Sequence, residues 1–196
     1  MNVFQGLLSL LLVEAALGGK GMMMMSYKGK GMGKGKGKGK GYYYYEPAYI
    51  PQTYTFSTLA NGDQEVPPVV TDTMSYYEIT VDEGFTMMEY SLFVYDGVGI
   101  DRAHLHCGAA GQNGDLLVEF YNNAEGTDVD GLLAYGVKTN MDLMMAGTDG
   151  NACGVNNIAS LFAAMKNGTI YLNIHSLDVP SGVNRGQILL FPTMGY

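Results

Sequence analysis

From Thr53 onward, apolar and polar side chains alternate in short runs broken by turn residues. Alternation with a period of two marks strands that bury one face. It predicts strands at Tyr54–Ala60, Met74–Val81, Thr86–Tyr95, Ala103–Cys107, Leu116–Tyr121, Leu132–Val137, Thr169–His175 and Gly186–Phe191. Turn formers separate them: Asn61-Gly62-Asp63, Pro67-Pro68, Asp82-Glu83-Gly84, Asp96-Gly97, Gly111-Gln112-Asn113-Gly114 and Pro180-Ser181-Gly182. Two stretches depart from this period. Asn157 to Lys166 sets Ile158, Leu161, Phe162 and Met165 at helical spacing, with Asn167-Gly168 as a stop, and Met141 to Ala146 reads as a single turn. Eight short strands with one or two small helices predict an all-β fold, an antiparallel sandwich or Greek-key barrel.

The same alternation sorts the chemistry-bearing residues. In Ala103-His104-Leu105-His106-Cys107, His104 and His106 share one face, about 7 Å apart along the strand. In the strand ending at His175, Tyr171, Asn173 and His175 share a face opposite Ile170, Leu172 and Ile174. All three histidines of the chain therefore lie on polar faces of half-buried strands. His104, His106 and His175 form a candidate facial set for Zn²⁺ or Cu²⁺. The competing reading is a structural polar network, in which histidines tie sheet faces together with Glu65, Asn173, Arg185 and Gln187 as partners. Within it an Arg185–Glu65 ion pair would staple the first loop to the last strand.

Before Thr53 the pattern is lost. Lys28 to Gly41 is nearly pure Lys-Gly alternation, flanked by Met22–Met25 and Tyr42–Tyr45. Residues 19–52 are expected to be a disordered arm, since glycine loses much entropy on ordering and lysines repel one another. The net charge of −8 hides a segregation: residues 1–41 carry seven lysines and one acid, while residues 42–196 carry four basic residues against eighteen acids. Lys28, Lys30, Lys34, Lys36, Lys38 and Lys40 offer multivalent contacts to an anionic extracellular polymer or a mineral surface. The first eighteen residues read as a signal peptide, with an apolar run Leu7–Val13 and small residues at Ala16-Leu17-Gly18. That run is too short for stable membrane insertion. Export argues against nucleic acid as the arm's partner, and it would allow Cys107 and Cys153 to pair. Two buried free thiols are the alternative. Asn167-Gly168-Thr169 is the one glycosylation acceptor.

Three motifs recur in order: Gly62-Asp63-Gln64-Glu65-Val66-Pro67-Pro68, then Ala103-His104-Leu105-His106 with Gly108 and Gly114, then Tyr171-Leu172-Asn173-Ile174-His175-Ser176 followed by Asn184-Arg185-Gly186-Gln187-Ile188. This set, over residues 53–192, resembles the CHRD domain first described in chordin. The resemblance implies an extracellular antiparallel β-fold, immunoglobulin-like or superoxide-dismutase-like, and no defined activity. Chordin's cysteine-rich modules have no counterpart here, so growth-factor binding does not transfer. A dinuclear copper–zinc centre needs more histidines than three. No nucleophile elbow and no phosphate-binding loop is present. The expectation is a secreted, non-enzymatic protein that works in adhesion or assembly of an extracellular, cell-wall or mineral matrix through its cationic arm. The alternatives are a metal-binding protein using the three histidines and a module that binds a protein ligand through a sheet face.

Overall fold

The computed structural model describes residues 53–143 and 153–190. The signal peptide and lysine arm expected over residues 1–52 lie outside the described residues. Seven antiparallel strands and one α-helix make up the described fold: β1 Tyr54–Ala60, β2 Met74–Val81, β3 Met87–Cys107, β4 Leu116–Thr139, α1 Ile158–Lys166, β5 Ile170–Ser176, β6 Asn184–Gln187 and β7 Leu189–Leu190. Short 3₁₀ turns stand at Gly62–Gln64 and Asn140–Asp142.

The expected all-β sandwich or barrel is the architecture found. The strands form one sheet in the order β6-β5-β3-β2-β1-β7, with β4 on β3. The path nearly closes on itself. Asn61, just past β1, exchanges two backbone hydrogen bonds with Arg185 of β6, at 3.0 and 3.1 Å. β7 pairs with β1 through Phe56 and Leu190.

Two expected pairs of strands are continuous instead. Thr86–Tyr95 and Ala103–Cys107 join into β3, and Leu116–Tyr121 and Leu132–Val137 join into β4. The Asp96-Gly97 turn signal is real, but it bends a strand and does not end it. Asp96 and Gly99 take left-handed backbone angles, and the β3–β4 register slips repeatedly between Val94 and Arg102. Such bulges add twist and change which side chains face inward. Met88, Leu92 and Val94 are buried before the bend, and Ala103, Leu105 and Cys107 after it, so the inward phase passes from even to odd positions. The first half of β3 pairs with β2, and the second half with β5. The expected strand Gly186–Phe191 is broken at Ile188, whose amide bonds the Ile170 carbonyl while its side chain enters the core.

The core holds Phe56, Tyr77, Ile79, Leu92, Ile100, Leu105, Leu172 and Ile174, all but free of solvent. Helix α1 starts at a capping box of Asn157 and Ser160. It buries Ile158, Leu161 and Met165 and lays Phe162 against Tyr54, Phe56 and Phe85. The single turn expected at Met141–Ala146 appears as the 3₁₀ turn Asn140–Asp142, and residues 144–146 lie outside the described residues. Cys107 and Cys153 form a disulfide with Cα atoms 5.8 Å apart, tying the end of β3 to the approach to α1. Asn167 is exposed at the C-cap of α1. No helix among the described residues is long and apolar enough to cross a membrane.

Candidate metal centre

Antiparallel register decides which side chains meet, because residues directly opposite one another share a face. Glu119, His104, Asn173 and Arg185 lie in one row across β4, β3, β5 and β6. His106, Tyr171 and Gln187 form the next row on that face. Arg102 and His175 form the row on the other side. The three histidines thus converge from two strands on the polar face of the β3–β5 pair. Their ring centroids are 5.0 to 6.0 Å apart. One ligand nitrogen from each lies within 4.8 Å of the others.

Two loops roof this face. Gly114, in the β3–β4 loop, presents its carbonyl 3.0 Å from His106 Nδ1. Pro180, in the β5–β6 loop, presents its carbonyl 3.0 Å from His175 Nδ1. A carbonyl can only accept, so both Nδ1 atoms carry protons and both Nε2 atoms are lone-pair acceptors in the neutral rings. His104 Nδ1 stands 3.2 Å from His175 Nε2 and must then be the donor. That leaves His104 Nε2 bare, 3.7 Å from a Glu119 carboxylate oxygen. His104 Nε2 and His106 Nε2 are both buried without a hydrogen-bond partner.

The rings are neutral at physiological pH. Burial pushes His104 and His175 down to about 4, and charge on the neighbouring rings would add to the effect. Burial lowers His106 as well, against the bond to Gly114. Uncharged imidazoles with outer nitrogens fixed by carbonyls are what a metal requires of its ligands, since a proton competes for the same lone pair.

The residues expected to form one polar network divide between separate tasks. Asn173 Nδ2 donates to Glu65 Oε1 at 2.7 Å, so Glu65 holds the first loop to β5 and not to the last strand. The Arg185–Glu65 ion pair does not form. Arg185 is buried and aims its guanidinium at the β3–β4 loop, donating to Asn113 Oδ1 and to the Ala109 and Gln112 carbonyls at 2.9 to 3.2 Å. Two of these acceptors are backbone oxygens of the loop, which no side-chain pattern displays. Gln187 Nε2 reaches the Gly108, Gly168 and Ile170 carbonyls at 2.7 to 2.9 Å. Asp101, the acid nearest His104 in sequence, bonds Arg102 instead. Sequence reasoning missed Glu119, and it placed Tyr171 on the polar face without its stacking between His106 and Arg185. Glu119 was legible as the lone acid within the apolar run Leu116–Tyr121, but its partner depended on a bulged register. The six lysines of the arm lie outside the described residues.

A nearly closed antiparallel β-barrel with a loop-roofed histidine face is the class of domain these observations define. The CHRD domain family model matches residues 56–188, well over half of the chain, and the chain belongs to that family. No curated protein and no solved structure matches it.

Proposed function

We propose that this CHRD domain binds one divalent transition-metal ion, Zn²⁺ or Cu²⁺, through His104, His106 and His175. The observation that carries the reading is that His106 and His175, whose Nδ1 atoms are held by carbonyls, turn their Nε2 lone pairs toward His104, and that the buried His106 Nε2 has no hydrogen-bond partner. Leaving such an atom unpaired costs about 1–3 kcal/mol, and a cation satisfies a lone pair that no neighbouring donor reaches. The donor set suits borderline metals. Zinc–nitrogen bonds of about 2.0–2.1 Å place tetrahedral ligand atoms roughly 3.3 Å apart. The His104–His175 pair already stands at 3.2 Å, and His106 must close in from within 4.8 Å. Three imidazoles and one half-exposed carboxylate fall short of a dinuclear copper–zinc redox centre, so the proposal is limited to binding one ion.

The test is metal content of the disulfide-intact full chain by elemental mass spectrometry, after exposure to Zn²⁺ or Cu²⁺ and desalting. The His175→Ala and His106→Asn forms run alongside. Near-stoichiometric metal that both variants lose supports the site. A wild-type protein that retains no metal refutes it and leaves the histidines as sheet ties.

A second proposal rests on the charge segregation of the sequence: that the protein is exported and its lysine arm attaches it to an anionic matrix or mineral. Many weak ionic contacts weaken steeply with salt. Retention on a sulfated-glycan or silica support should fall with salt and with deletion of residues 19–41. Unchanged retention in either case would sink this reading.

A further inference from the structure

We infer that Glu119 is the outer partner of His104, and that metal entry exchanges the tautomer of that one ring. The inference rests on the metal reading above and adds to it which nitrogen of His104 binds and which residue holds the other.

Three neutral rings share three protons over six ring nitrogens. Two are settled, because His106 Nδ1 and His175 Nδ1 must donate to the Gly114 and Pro180 carbonyls. One proton remains, on His104. Placed on Nδ1 it pairs with His175 Nε2 at 3.2 Å, but His104 Nε2 is then a bare lone pair facing the Glu119 carboxylate at 3.7 Å. Placed on Nε2 it points at Glu119, but then His104 Nδ1 and His175 Nε2 face each other as two lone pairs. With three neutral rings neither placement pairs everything, and His106 Nε2 is unpartnered in both.

A cation between His104 Nδ1, His175 Nε2 and His106 Nε2 resolves the conflict. The His104 proton moves to Nε2 and is received by Glu119, a hydrogen bond that a modest side-chain shift closes from 3.7 Å. All three rings then donate outward, to Gly114, Pro180 and Glu119, and accept the metal inward. No proton is gained or lost by the three rings; one changes nitrogen. Carboxylate partners of this kind fix the tautomer and raise ligand basicity. Glu119 is placed for this by β4, whose register sets it directly opposite His104. It is a positioning residue and not a ligand in this arrangement.

The chain has only three histidines, so long-range proton–nitrogen NMR of the ¹⁵N-histidine-labelled full chain reads each ring directly. Without metal, all three rings should show protons on Nδ1. With one equivalent of Zn²⁺, His106 and His175 should keep that form while His104 changes to Nε2–H. Zinc saturation with His104 still protonated on Nδ1 would overturn the inference while leaving the metal site standing. No zinc-dependent change on any ring would overturn both. As a second measurement, Glu119→Ala should weaken Zn²⁺ about 10–100-fold, and Glu119→Gln, which keeps an acceptor oxygen, should recover most of the loss. Equal zinc affinity in Glu119→Ala and wild type would overturn the role of Glu119. The side chain is partly exposed on a strand surface, so the metal-free melts of these variants should match wild type.

Discussion

The Arg185 guanidinium carbon lies 3.5 Å above the centroid of the Tyr171 ring. His106 stacks on the same ring, with centroids 5.2 Å apart and planes 14° from parallel. β5 runs between β3 and β6, so the cation and the imidazole reach Tyr171 from neighbouring strands on either side. Tyr171 also accepts a hydrogen bond from the Gly114 amide through its hydroxyl. One aromatic ring therefore links the arginine that clamps the β3–β4 loop to the histidine that this loop orients. Position 114 leaves no room for a side chain, because an added Cβ would collide with the Cys107 carbonyl.

Replacing Arg185 should for that reason act on both stability and the site. Arg185→Lys keeps the charge but loses the planar fork that reaches three acceptors and the stacking on Tyr171. Breaking a buried, hydrogen-bonded cation costs about 3 kcal/mol. Chemical denaturation should show a loss of that order. Hydrogen exchange should speed up at Gln112, whose amide closes the loop on Ala109. A variant within about 0.5 kcal/mol of wild type, the range of ordinary surface substitutions, would show that the loop does not depend on this clamp.

Alternation made much of the fold legible, because β1, β2 and α1 bury side chains on a fixed period and end at local turn or cap residues. β5, expected to be half-buried, is instead buried on both faces because loops cover its polar side. Alternation also placed His104 and His106 on one face of their strand and His175 on the polar face of another; that the two faces are one follows from the β3–β5 pairing. It failed where a strand bends. Asp96-Gly97 carries the same turn signal whether the chain reverses or bulges, and only the pairing of β3 with β4 on one edge tells them apart. It failed again for Arg185, two of whose three acceptors are backbone carbonyls and so invisible in side-chain types. Glu119 faces His104 through an irregular register that no single strand encodes.

The disulfide closes a separation of 46 residues, which spans the whole of β4. In the chain-entropy model a loop of that length contributes about 4 kcal/mol by restricting the unfolded chain. The Cys107→Ser/Cys153→Ser double variant should lose up to that amount, read as a lower denaturant midpoint with an unchanged native fold. The loss should also appear as faster exchange in α1, which follows Cys153 closely. Equal stability of the double variant and the oxidised wild type would remove the bridge from the forces holding α1.

Gly182 sits where Asn173 and Glu65 meet. Its φ of +131° lies in a region that other residues rarely adopt, and an added Cβ would stand 2.5 Å from Asn173 Oδ1 and 2.7 Å from Glu65 Oε1. Gly182→Ala should combine backbone strain with displacement of the Glu65–Asn173 hydrogen bond, for a loss of about 2–4 kcal/mol. A thermal melt would check it, and a shift of less than a degree would show that the β5–β6 loop adapts freely.

Glu65 should make the domain less stable as pH rises, against the usual behaviour of a carboxylate. Burial pushes its carboxyl up to about 7, a rise that Asn173 and the nearby Arg185 offset only in part. Between the ordinary value of 4.5 and about 7, the native state holds a proton that the unfolded chain has released. The native state binds more protons there, so stability falls with rising pH through that window. His104 and His175 act in the opposite sense. Their folded values of about 4 lie below the ordinary 6.5, so between about 4 and 6.5 the unfolded chain binds the extra protons and stability rises with pH. The opposing slopes overlap from 4.5 to 6.5, and wild-type stability alone does not separate them. Glu65→Gln does, because it keeps an oxygen to accept from Asn173 and removes only the titration. The variant should match wild type near pH 4.5 and exceed it by about 1–3 kcal/mol at pH 8, at about 1.4 kcal/mol per unit of pKa. Denaturation of both proteins at pH 4.5, 6 and 8 reads the difference. A constant gap at all three would mean that Glu65 titrates alike in the folded and unfolded chains.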